Sequence, residues 1–444
     1  MVKIMTIFST FLNIAIRNIL RNWRHSFATF LSMIFGFVAV SLFDGFLKEI
    51  NFKNTDGFTR RGMLGDVIIQ KKDATLYLEE DFWRYTLSKF DQEKLEIEIQ
   101  KSGLVQNHVK FLQISGMMNT GEHSAIFVGF GYDVLEGATA RGNGWEWNTV
   151  AGIPLQMGPK DSLLIGTDLG KKLACTQQPN ENFMQLDGHY KPEIRPYNCE
   201  NTAFILSSTT ARGQINTINL NVIGLIDGGL REYNKVATHI PLPMAQKLLD
   251  TTDISMMTVQ LKDPSDALVF SDMLKKNLDQ QGVFVEAAPW KRHKMSAFVR
   301  NVEDLLKVFR NLFMSIIVLI VAMSVSTTMA KSVNERIREL GTLRSFGFTK
   351  TQLKLMISIE GFLIAIISCL LGLIVTIVLG FLITKLGIEY RAGILSMPVV
   401  LRVKLAPEMW LWTGLLIVAL ATLSSWWASK KAFRSTIADA LIHI

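Results

Sequence analysis

Four uninterrupted apolar runs constrain this chain more than any other feature of it. Ser26 to Phe43 is 18 residues without a charge, Asn311 to Ala330 is 20, Gly361 to Thr384 is 24 and Met409 to Ser429 is 21. A hydrocarbon core about 30 Å thick is crossed by about 20 apolar residues of helix. One such run could be a buried core helix; four of this length predict four membrane-spanning helices. Trp410 and Trp412 open the last run and Trp426 and Trp427 close it, which predicts an aromatic belt at each interface. Charged residues make up 19% of the 444, against roughly 25% in soluble proteins.

The first run is too long for the apolar stretch of a signal peptide, and Phe43-Asp44-Gly45 is a poor cleavage site, so it reads as an uncleaved anchor. Lys and Arg in short flanks set orientation. Residues 1–25 carry Lys3, Arg17, Arg21 and Arg24; 331–360 carry Lys331, Arg336, Arg338, Arg344, Lys350 and Lys354; the tail carries Lys430, Lys431 and Arg434. The loop 385–408 carries Lys385, Arg391, Arg402 and Lys404. Three basic segments on one side place both termini in the cytoplasm and 44–310 outside it. The expected order is a cytoplasmic or interfacial segment 1–25, spans 26–43 and 311–330, a cytoplasmic segment 331–360, span 361–384, a short outer loop 385–408, span 409–429 and a cytoplasmic tail 430–444. In 1–25, Phe11, Leu12, Ile14, Ala15, Ile19 and Leu20 lie mainly on one side. This fits an interfacial helix or, equally, a charged flank. The net charge of +8 sits beside apolar spans, so it points to a membrane surface and not to nucleic acid.

Residues 65–290 mix strand-like and helix-like patterns, which predicts an α+β domain. Val67-Ile68-Ile69, Ala125–Val128, Val222–Ile226, Met257–Lys262 and Val283–Glu286 read as strands. Leu163–Leu173 reads as strand, turn and short helix, and Pro243–Asp250 and Pro264–Gln280 read as helices opened by proline. The stretch 175–218, with Pro179, Pro192 and Pro196, reads as a long loop. Cys175 and Cys199 fall in it, and an oxidising compartment permits a disulfide between them; two unpaired thiols are the alternative. Cys369, inside the third span, reads as a packed thiol. Residues 296–330 contain neither Pro nor Gly, so the second span extends upward as a continuous stalk of 35 residues.

Several chemistries are missing. There is no G-x-x-x-x-G-K-[ST], no H-E-x-x-H and no G-x-S-x-G, and the seven histidines show no ligand spacing. No catalytic residue and no metal is expected, and a membrane-anchored enzyme is the weakest reading. The apolar runs carry no charge, unlike those of ion-coupled carriers. Ser324, Ser326, Thr327 and Thr328, and the pairs Ser368-x-x-x-Gly372 and Ala421-x-x-x-Ser425, read as helix packing.

The most informative stretch joins the second and third spans, Lys331 to Leu353. Glu335 and Arg338 are three apart, a spacing that supports a short helix. Gly341 and Gly347 bracket Leu343 and Phe346, and apolar side chains including Phe348 on a small cytoplasmic loop suggest a docking knob.

Glu335-Arg-Ile-Arg-Glu-Leu-Gly-Thr-Leu-Arg-Ser-Phe-Gly347 resembles the E-R-x-x-E-I-G-x-L-R-A-L-G signature of MacB/FtsX-type ABC permeases. The layout is similar as well: one anchor, a large outer domain, three grouped C-terminal spans and a tail Ile437-Ala-Asp-Ala-Leu441. Leu164–Leu173 and Ile240–Gln246 are also similar. The lipoprotein-releasing Lol-type members fit this layout best. The fused ATPase of the macrolide-exporter type is absent, the chain is longer than the cell-division type, and it has too few spans for the bacitracin-resistance type.

The resemblance implies a bacterial inner-membrane permease that works by mechanotransmission. It would bind no cofactor itself, with ATP and Mg on a separate ABC ATPase dimer. It would pair with a second permease subunit, the same or different, and could hand lipoprotein to a periplasmic carrier. Glu335, Arg338, Glu339, Gly341, Leu343, Arg344, Phe346 and Gly347 would form the ATPase-coupling segment. The competing expectations are a signal transducer that activates a cell-wall enzyme outside the cell, or an exporter of another amphiphile or a drug.

Overall fold

The computed structural model describes residues 14–21, 23–77, 81–142, 149–177, 196–390, 393, 396 and 399–432. Lys3, Phe11, Leu12, Pro179, Pro192, Arg391, Arg434 and the 437–441 tail motif lie outside them. The main helices are, in chain order, α1 (Trp23–Asp56), α2 (Lys89–Ser102), α3 (Val134–Arg141), α4 (Thr167–Lys172), α5 (Leu242–Leu249), α6 (Ala267–Asp279), α7 (Ala297–Glu335), α8 (Ile337–Ser345), α9 (Lys350–Leu386) and α10 (Pro407–Ala432). The strands are β1 (Val67–Lys71), β2 (Val105–Asn119), β3 (Ser124–Tyr132), β4 (Thr149–Gly152), β5 (Ser162–Gly166), β6 (Cys175–Gln177), β7 (Tyr197–Cys199), β8 (Ala203–Thr209), β9 (Ile215–Ile226), β10 (Ala237–Pro241), β11 (Met256–Leu261) and β12 (Val285–Pro289). Two compact bodies result. A helical one takes the described parts of 1–51, 302–389 and 400–444, and an α+β one takes those of 52–301 and 390–399.

Four helices of the described chain are long and apolar enough to cross a bilayer. They outrun the apolar runs that predict them, three of them for a visible reason. On α1 the buried stripe Met33, Phe37, Val40, Asp44 and Leu47 continues at helical spacing past Phe43. On α7 the buried residues Val321, Val325, Met329 and Val333 recur every fourth position, and the helix runs 39 residues to Glu335 instead of stopping at Ala330. Helix α9 starts at Lys350 because Thr349 and Gln352 form a capping box: the Gln352 N–H donates to Thr349 Oγ1 and the Thr349 N–H donates to Gln352 Oε1. The runs are therefore charge-free but the helices are not, since Asp44, Glu49 and Glu360 lie within them.

Lipid tails are as apolar as leucine, so close approach must come from small residues and hydroxyl pairs. A methyl on Gly361 would meet Ser425 Oγ of α10 at 2.0 Å, and one on Gly372 would meet Phe37 of α1 at 3.0 Å. Between α1 and α7, Thr29 and Thr328 hydroxyls lie 2.5 Å apart and Ser324 donates to Ser32 at 3.3 Å.

The α+β body is built on one sheet of order β12-β1-β11-β2-β3-β10-β5-β9-β4, with β8 pairing both β2 and β9. Its pairs are antiparallel except β10 with β3 and β5 with β9. One face carries Val67, Ile69, Leu112, Ile114, Phe127, Leu163, Ile165 and Phe204 under Leu95 of α2, Leu248 of α5 and Phe270 and Leu274 of α6. Gly131 is required beneath α5, where a Cβ would meet that of Ala245 at 2.1 Å. The expected loop over 175–218 is corrected in its second half: β7, β8 and β9 occupy most of 197–218, because Phe204, Leu206, Ile218 and Leu220 are buried at strand alternation. Cys175 and Cys199 stand opposite each other on β6 and β7 and are joined as a disulfide.

Candidate ATPase-coupling site

The connector between α7 and α9 is a second, separate helix. Helix α7 ends at Glu335, and Arg336 leaves helical geometry at φ −112°, ψ 17° before α8 begins. Glu335 therefore closes the long helix, with Lys331 one turn back at 4.0 Å. Past α8, Gly347 takes φ +94°, a left-handed position that glycine reaches at no steric cost.

The three apolar side chains expected to form one docking knob divide. Leu340 and Gly341 are buried, and Leu343 and Phe348 pack partly into the helical core. Leu340 and Leu343 are three apart and share the inward face of α8. Phe346 follows the end of that helix and is 78% exposed. The correction is that Leu343 and Phe348 anchor the connector, and Phe346 alone offers an exposed apolar surface. Arg338 and Glu339 are exposed and Arg344 is half-buried.

Beneath α8 lies a charged cluster that sequence reasoning missed. Glu360 of α9 is 4% exposed, Arg336 8% and Asn18 8%. Arg336 Nη1 donates to both Glu360 oxygens, at 3.1 and 3.3 Å, while its Nε donates to Glu339 at 3.3 Å. Asn18 Nδ2 donates to Glu360 Oε1 at 2.6 Å, and Arg21 donates to both oxygens of Glu339 at 3.1 Å. Partial burial pushes the Glu339 carboxyl up, but the hydrogen bonds and charge of Arg21 and then Arg336 outweigh it and hold that carboxyl below its ordinary range. One signal could have found the cluster: Glu360 enters an apolar run with no basic residue three or four positions away on its own helix.

At the other end of α7, Arg310 holds the fully buried Asp44 of α1, with Nε 2.5 Å from one oxygen and Nη2 3.4 Å from the other. Nearby, Lys404 pairs with the buried Glu49 at 3.3 Å. In the α+β body, Glu122, His123 and Glu200 come together at the surface, His123 lying 3.6 Å from Glu200. Exposed groups of this kind are common without an ion, and no metal site is assigned.

Residues 311–437 match the family model described as FtsX-like permease C-terminal, a span that contains α8, α9 and the described part of α10. Residues 311–437 thus carry an FtsX-like permease C-terminal domain, and the Glu335–Gly347 motif lies inside it. No curated protein matches the chain. Two similar solved structures are the extracellular domain of the noncanonic ABC-type transporter YknZ from Gram-positive bacteria and the periplasmic region of MacB from Actinobacillus actinomycetemcomitans. The first is 12% identical, covers 50% of this chain and 98% of its own, and has a TM-score of 0.30. The second is 11% identical, covers 52% of this chain and 91% of its own, and has a TM-score of 0.32.

Proposed function

We propose that this permease moves lipoproteins out of the bacterial inner membrane toward the outer membrane by mechanotransmission. The α+β body works on the periplasmic side, and α8 works in the cytoplasm. A separate ABC ATPase dimer, carrying ATP and Mg, docks on the segment Glu335–Gly347, with Phe346 as its apolar contact and Arg338, Glu339 and Arg344 around it. A second permease subunit, identical or related, completes the transporter, and a soluble carrier receives the lipoprotein.

The observation that carries the reading is α7 itself. It is one unbroken helix of 39 residues, about 58 Å at 1.5 Å per residue. It begins among residues of the α+β body and ends at the connector. Such an element transmits displacement between distant sites without a solute channel. The absence of charge from the centres of the apolar runs supports ATP as the energy source over an ion gradient.

The test has two arms. Gentle purification of the full chain should bring an ABC ATPase with it. Depletion in cells should leave lipoproteins in the inner membrane. Normal lipoprotein sorting with chains of unseparated cells would instead support activation of a cell-wall enzyme.

A further inference from the structure

The charged cluster beneath α8 is a closed ring, and the ring has a mechanical consequence. Starting from the N-terminal segment, Asn18 bonds Glu360, Glu360 bonds Arg336, Arg336 bonds Glu339, and Glu339 bonds Arg21, which returns to the same segment. Three stretches of chain are tied: 14–21, the α7–α8 junction with α8, and the first turns of α9. The break at Arg336 is where a displacement of α8 would otherwise be absorbed, because a residue outside helical geometry can flex while its neighbours stay still. Here that residue is the one held. Its guanidinium reaches two carboxylates on two helices, a planar fork that lysine cannot reproduce.

Burial makes the hold stiff. Glu360, Arg336 and Asn18 are each nearly inaccessible, and in a low-dielectric site a paired charge that loses its partner is left uncompensated. The buried side of the ring, Asn18–Glu360–Arg336, therefore opens only at high cost and favours moving as a unit, while the exposed Arg21–Glu339 pair adds little.

We infer that Arg336 and Glu360 are positioning residues that lock α8 to α9 and to the N-terminal segment, so that nucleotide binding by the ATPase shifts all three together. This rests on the proposed coupling role of α8.

The test is hydrogen–deuterium exchange on the full permease–ATPase complex, with and without a non-hydrolysable ATP analogue. In the unmodified complex the analogue should change protection in 337–345, 350–360 and 14–21 alike. In Glu360→Gln, which keeps the shape of the side chain and removes its charge, the ATPase should co-purify at the unmodified ratio and 337–345 should still respond. The response of 350–360 should be lost. A purely structural role would lower protection equally with and without nucleotide. Should Glu360→Gln fail to assemble, Asn18→Ala combined with Arg21→Ala removes only the N-terminal arm: 14–21 should lose its response and 350–360 should keep it. A full response of all three segments in either variant would overturn the lock alone. No response at 337–345 in the unmodified complex would overturn the coupling role of α8, and the lock with it.

Discussion

The helical and α+β bodies both bury carboxylates, and those at the strand ends and loops of the α+β body are neutralised differently. In the helical body Asp44 is held by Arg310 and Glu360 by Arg336. In the α+β body Asp66 accepts from the Leu261 N–H at 2.9 Å, and Asp227 accepts from the Gly229 N–H and from Asn234 Nδ2, each at 2.8 Å. The difference follows from backbone accounting. Inside a long helix each N–H is committed to the carbonyl four residues back, so a carboxylate there finds no backbone donor. In the helical body it is met by a cation from another element, and in α2 of the α+β body Glu98 is met by Lys101 of its own helix. Strand ends and loops have N–H groups to spare, and an acid can be buried there without a cation in contact. Burial pushes the Asp66 carboxyl up, and the Leu261 N–H and the charge of Arg60 only partly offset it.

The largest test of this contrast is Glu360→Ala, which strands the Arg336 charge in a buried site. It should cost about 3–5 kcal/mol, read as a lowered unfolding midpoint of the purified chain. Asp66→Asn keeps a hydrogen-bonding group and should cost less, as the comparison requires. A midpoint shift for Asp66→Asn as large as that for Glu360→Ala would break it.

Acid should separate the two bodies as well. His239 is buried and bonded to the Tyr233 hydroxyl at 2.8 Å. Burial first, and then the charge of Arg141, depress its pKa to about 3. The unfolded chain takes up that proton first, near the ordinary value of 6.5. The stability His239 contributes is therefore complete above pH 6.5 and falls by about 1.4 kcal/mol per pH unit below it, until the pH reaches its folded value. Glu339 has the carboxylate case: its value is lowered, so its contribution is lost only as pH falls below the ordinary carboxylate range. Between pH 6.5 and 5, protection relative to the intrinsic exchange rate should fall in β10 and β3 and not in α8. An equal fall in protection in α8 would contradict the assignment.

Asp66→Ala, which removes the acceptor of the Leu261 N–H, should cost about 1–3 kcal/mol, visible as faster exchange confined to β11 and β1. The smallest structural effect belongs to Phe346→Asp. As an exposed substitution it should change stability by less than about 0.5 kcal/mol and yet abolish recovery of the ATPase. Leu343→Asp should lower the unfolding midpoint first, because that side chain packs inward. Equal stability of the two variants would restore the single docking knob that the sequence suggests.

The spans were legible because length and lack of charge are local properties. The connector was legible because Glu335–Gly347 is contiguous. Several α+β strands, among them Val67–Ile69 and Met257–Lys262, showed their branched and apolar runs. What stayed hidden joins distant residues. Arg336 and Glu360 are 24 positions apart and Asn18 and Glu360 are 342 apart, and no spacing rule connects them. β8 escaped because it is short, apolar Ile205 faces outward between Phe204 and Leu206, and Ser208 takes the third buried position. α2 escaped because Phe90 and Ile97 face outward and blur the stripe made by Leu95 and Ile99. The inward turn of Leu343 depends on α8 lying against the bundle, which its own residues do not reveal.

The contact of Gly361 with Ser425 bears on traffic through the bilayer. Two backbones that leave no room for a methyl group leave none for an acyl tail. A lipid anchor travelling through this subunit cannot use the crevice between α9 and α10 near that point. Under the proposed function, the uncovered apolar faces, Leu312, Leu319 and Met323 on α7 and Leu370, Ile374 and Phe381 on α9, are the routes left to it.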